Sequence, residues 1–108
     1  MKACETGNLN TIKKILNTNP VLLNRHFTKN GLTPLGTAYY NQKQDIVEYL
    51  LEKGANIDKQ NNIGFTILIT ACFKYDYNGA KYFIERGANL DIKDIDGYTA
   101  LMVACQNG

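Results

Sequence analysis

A chain of 108 residues with 44% hydrophobic content has room for one domain around one modest core. No run approaches the roughly 18 apolar residues of a membrane span, and no basic-then-apolar leader precedes the first helical pattern. A net charge of +2 with the signs interspersed is far from the basic footprint of a nucleic-acid binder, so neither a membrane nor a nucleic acid is an expected partner.

In chain order, Met1–Gly7 falls in the same phase as Met102–Gly108, which predicts an opening first helix with no loop before it. Leu9, Ile12, Ile15 and Leu16 follow at the spacing of an amphipathic second helix. Residues 17–30 are irregular and two residues longer than the matching stretch further on. Their Val21-Leu22-Leu23 run is expected to pack down as a lid rather than to form a binding loop. From Gly31 the chain is periodic. Shifting 31–63 onto 64–96 matches 11 of 33 positions, and a further shift of 33 lands on 97–108. Such a fixed period is the signature of a solenoid in which one supersecondary unit stacks on the next.

The recurring residues describe the unit. Gly-x-Thr stands at Gly31/Thr33, Gly64/Thr66 and Gly97/Thr99, followed by Leu35, Leu68 and Leu101 and then by Ala38, Ala71 and Ala104. Glu-x-Gly-Ala-Asn-x-Asp spans Glu52–Asp58 and again Glu85–Asp91. With Thr33-Pro34-Leu35 and Gly54-Ala55-Asn56 as its best segments, the whole chain resembles the ankyrin repeat. The resemblance implies an all-α solenoid of helix-turn-helix units joined by hairpin-like fingers. Repeat boundaries are expected at 1–30, 31–63, 64–96 and 97–108 within one domain, read as part of a longer array.

Each recurring residue has a local physical role. Asn30-Gly31 and Asp96-Gly97 suit a type I′ turn with positive φ at both positions. Thr33, Thr66 and Thr99 suit helix N-caps, with Pro34 where its missing N–H costs nothing. Gly54 and Gly87 suit left-handed helix ends. Gly79 stands in the place of Ile46, and inside a helix it costs about 1 kcal/mol relative to alanine, which predicts a local weak point. The last repeat has no second helix to cover Leu101, Val103 and Ala104. The family's usual histidine is replaced by Gly36, Ile69 and Met102, the latter two offering apolar packing instead.

Cys4, Cys72 and Cys105 each follow the recurring alanine. They therefore occupy one small-residue slot in three repeats, too far apart to pair if stacked helices lie roughly 8–10 Å apart. Core thiols that do not pair fit a reducing, cytoplasmic setting. There is no Cys-x-x-Cys and His26 is the single histidine, expected to be a solvated loop residue. Neither a zinc site nor a Cys/His nucleophile has its parts, and no cofactor or catalytic residue is expected.

What remains is recognition by a monomer. Carried over by position, the family's concave face would comprise Lys29, Asn30, Leu32, Tyr40 and Asn41. It would continue with Asn62, Ile63, Phe65, Phe73 and Lys74, and then Ile95, Asp96, Tyr98, Gln106 and Asn107, with Lys53 and Arg86 at its border. Aromatics beside Lys and Arg are what protein-binding hot spots use. The Leu32/Phe65/Tyr98 row either serves that purpose or packs between repeats, whereas Tyr40 and Phe73 favour binding. The expected function is a non-catalytic protein-interaction module. The alternative is a rigid spacer or targeting arm of a larger enzyme or effector, and a small enzyme in its own right ranks last.

Overall fold

The structure is a computed structural model and describes residues 8–26 and 28–107. Two compact units divide the chain, Met1–Asn56 and Ile57–Gly108. The expected first helix over Met1–Gly7, and Cys4 with it, lies outside the described residues.

In the first unit, α1 spans Leu9–Thr18 and buries Ile12 and Leu16, two of the four apolar residues that predicted it. The Asn8 side chain accepts from the Thr11 N–H at 3.1 Å and caps it. Pro20–Asn24 is a 3-10 helix in which Leu22 and Leu23 are half-buried, but Val21 is 76% exposed. The expected lid is thus two leucines, because three successive side chains of a tight turn cannot all face inward. α2 is Pro34–Tyr40 and α3 is Gln44–Glu52, packed together through Leu35, Ala38, Ile46, Val47 and Leu50.

The second unit repeats this order with α4, Ile67–Phe73, α5, Tyr77–Glu85, and α6, Ala100–Asn107. α4 packs on both α5 and α6, around Leu68, Ile69, Ala71, Ala80, Phe83 and Val103. The described residues form no β-strand. Helices of seven residues such as α2 and α4 lack the length to persist alone, so capping and burial must hold them. Thr33, Thr66 and Thr99 do cap, accepting from the N–H groups of Gly36, Ile69 and Met102 at 3.4, 3.2 and 3.3 Å. Gly54 and Gly87 both end their helices at φ +92°. The next residues, Ala55 and Ala88, donate back to the Leu50 and Phe83 carbonyls at 3.0 Å.

The fingers depart from the type I′ expectation. Only Gly31, Gly64 and Gly97 have positive φ; Asn30 and Asp96 do not. Asn61 pairs with Phe65 and Asp94 with Tyr98, each leaving a three-residue loop that ends in its left-handed glycine, the next commonest hairpin connection. The Asn61 side chain accepts from the Ile63 and Phe65 N–H groups, and Asp94 accepts likewise from Asp96 and Tyr98. In the first finger Thr28 Oγ1 accepts from the Leu32 N–H at 2.9 Å. Thr28, Asn61 and Asp94 recur every 33 residues with an acceptor oxygen, a further periodic signal of the finger.

Gly79 is also placed differently. It is the third residue of α5, and its N–H donates to the Asp76 carboxylate at 3.0 Å. A Cβ there would collide with that carboxylate. The glycine therefore completes a cap and does not interrupt a helix. Lys43, at the N-cap of α3, makes no corresponding side-chain hydrogen bond.

Candidate functional site

In the first unit Lys29, Asn30, Tyr40 and Asn41 are exposed. Leu32 is half-buried, with its Cδ2 atom only 3.1 Å from where a Gly36 Cβ would stand. The residue after the finger glycine thus folds down on the start of its own helix. Asn41 turns back, its Nδ2 donating to the Thr37 carbonyl at 2.9 Å.

The second unit collects an apolar surface. Phe65 from the finger and Phe73 from the end of α4 meet edge to face, ring centroids 5.7 Å apart. Phe73 is nonetheless 59% exposed. Ile63 and Tyr98 are exposed beside their finger glycines, as are Asn62, Lys74, Ile95, Asp96 and Gln106. Asn107 is already used, donating from Nδ2 to the Cys72 carbonyl at 3.1 Å, and so ties α6 to the end of α4.

Successive fingers touch through backbone. The Ile95 N–H donates to the Ile63 carbonyl at 3.2 Å. Gln60 Nε2 bridges the Gly64 and Lys93 carbonyls at 2.8 and 2.9 Å. A Cβ on Gly64 would lie 2.7 Å from the Ile95 nitrogen, so the glycine serves close approach as well as its φ. One loop further on, Asp58 accepts from the Asn89 N–H at 2.8 Å. Asn24 does the same for Asn56 in the first unit, where the irregular segment supplies the acceptor.

Lys53 and Arg86, expected to border the recognition face, each make a contact within their own repeat. Each lies over the tyrosine four residues earlier in its own second helix: Lys53 Nζ is 5.7 Å from the Tyr49 ring, and the Arg86 guanidinium is 4.9 Å from the Tyr82 ring. The i, i+4 spacing puts cation and ring on one helix face. Lys53 also lines a pocket with Leu16, Asn17, Pro20, Leu23 and Tyr49, none of which is a finger residue.

Cys72 is buried, and burial pushes its thiol up from an ordinary value near 9. Cys105 is exposed, contrary to the expected buried slot, because among the described residues no second helix packs on α6 as α5 packs on α4. For the same reason Leu101 is 72% and Met102 46% exposed, while their counterparts Leu68 and Ile69 are each at 1%. Val103 is buried all the same, facing α4. The result is a groove of about 590 Å³ among α4, α5 and α6. His26 is exposed as expected. No group of three or more metal-ligating side chains occurs among the described residues, and none of their helices is long and apolar enough to cross a membrane.

Capped helix pairs alternating with glycine-ended fingers define a helix-turn-helix repeat protein. The model of the ankyrin-repeat family, in three copies, matches residues 1–61 and 58–108. The chain therefore belongs to the ankyrin-repeat family, whose members generally serve as protein–protein interaction modules. No curated protein matches it.

Proposed function

We propose that the protein is a non-catalytic interaction module that docks a partner protein on the finger-and-first-helix surface of its repeats. The observation carrying this reading is the Phe65–Phe73 pair. Two aromatic rings are held in fixed mutual geometry while Phe73 keeps more than half its surface in water. A ring whose position is already set loses little rotamer freedom on binding, and so suits an anchor contact. Ile63 and Tyr98 extend the surface, with Asn62, Lys74 and Asp96 as its polar rim. Lys29, Asn30, Tyr40 and Asn41 form the corresponding set in the first unit. Leu32, half-buried, and Lys53 and Arg86, which rest on their own tyrosines, would contribute less to it.

Affinity capture from the source lysate tests the proposal, comparing the native chain with Phe73→Ala and Tyr40→Ala, each checked for helicity by circular dichroism. A protein retained by the native chain and reduced at least tenfold by either variant supports the reading. Equal retention by all three folded proteins overturns it.

A further inference from the structure

Gln60 is an exposed side chain whose amide nitrogen reaches two fingers at once. Its Nε2 donates to the Gly64 carbonyl of its own finger at 2.8 Å and to the Lys93 carbonyl at the base of the next at 2.9 Å. A primary amide nitrogen carries two hydrogens, so one group serves both acceptors. The two peptide units it holds are those on which the partner-facing aromatics depend. The unit joining Gly64 to Phe65 is fixed from its other side as well, where the Phe65 N–H donates to the Asn61 side-chain oxygen at 2.9 Å. In the unit joining Lys93 to Asp94, the Asp94 N–H donates to the Tyr98 carbonyl at 2.9 Å. Phe65 in turn meets Phe73 edge to face, with ring centroids 5.7 Å apart.

A plainer account is that Gln60 merely satisfies two loop carbonyls. Beside an exposed side chain, water could do that for each of them. What separate waters cannot do is hold both carbonyls at one fixed distance from each other. The direct backbone bond between these fingers, from the Ile95 N–H to the Ile63 carbonyl, is longer at 3.2 Å. Nor does the period impose a glutamine, since the same place of the next finger is Lys93. We infer that Gln60 is a positioning residue of the finger surface proposed above, whose role as a docking face this takes as given. It acts through Phe65 and Tyr98, setting the spacing of the two fingers that a partner must match.

Gln60→Glu keeps the shape of the side chain and loses both donors. Amide hydrogen exchange of the full chain, followed by NMR, should show the Ile95 and Phe65 N–H groups exchanging about tenfold faster in it, with the α4 amides and the urea midpoint unchanged. Gln44→Glu, which places the same charge at the exposed start of α3, should leave finger exchange as in the native chain. An unchanged Ile95 rate in Gln60→Glu overturns the inference. So does an equal rise at every amide of the second unit, which would mean general destabilisation, or an equal effect from Gln44→Glu, which would mean charge alone. In affinity capture Gln60→Ala should retain about a tenth of the protein held by the native chain. Full retention despite faster finger exchange overturns the role in recognition. A native chain that retains nothing defeats the docking face itself and the positioning role with it, so the two failures are told apart.

Discussion

At Gln42 and Tyr75 the backbone sits at φ 59° and 62°, the left-handed region that side chains other than glycine's disfavour by roughly 1–2 kcal/mol. Both residues turn the chain from the first to the second helix of a repeat, and the following N–H groups of Lys43 and Asp76 close the turn on the Ala38 and Ala71 carbonyls at 2.9 Å. Relief of the strain exceeds the added unfolded-state entropy, so Gln42→Gly should raise stability by about 1 kcal/mol in urea unfolding. Cys72 yields a pH prediction at the same scale. Its folded value is raised, so the buried thiol contributes stability that is fully present below the unfolded value, near 9, and is lost as pH rises through the folded one. The native chain should therefore lose more stability than Cys72→Ala as pH rises above about 9, measured by urea midpoints at successive pH values.

Among elements, the fingers show how one sequence signal has two strengths. Gly64 and Gly97 share the same recurring position and nearly the same φ, 80° and 85°. Only Gly64 has a neighbouring finger's backbone where its Cβ would go. Gly97→Ala should cost roughly 1–2 kcal/mol, the conformational term alone, and Gly64→Ala distinctly more, compared by thermal unfolding. The requirement for glycine was legible from the period, as were the threonine caps and the helix-ending Gly54 and Gly87. The turn type was not, because Asn-Gly and Asp-Gly suit two hairpin loops. The choice fell to the side-chain oxygens of Thr28, Asn61 and Asp94, which hold the loop residues before the glycine at negative φ.

For the whole molecule, stability and recognition rest on different aromatics. Phe83 is 1% exposed and Phe73 59% exposed, although both are phenylalanines on helices of the same unit. Phe83→Ala should cost about 3–5 kcal/mol, and Phe73→Ala less than 1 kcal/mol while removing the partner-facing ring. Chemical denaturation of the two variants checks the contrast. If Phe73→Ala destabilised as much as Phe83→Ala, the exposed ring would be a structural one and the proposed finger surface would lose its anchor.

The family, the threonine caps, the glycine helix ends and the spacing of the fingers were determined by the sequence itself, because backbone-specific residues recurred at a fixed interval and each acts within a few positions of itself. Tertiary structure decided what depends on neighbours distant in the chain. It paired Phe65 with Phe73 and brought Lys13 of α1 to the ring of Tyr49 in α3. It also buried Cys72 while exposing Cys105 at the same repeat position. Burial is a property of what packs on a residue, and no residue carries that in its own name.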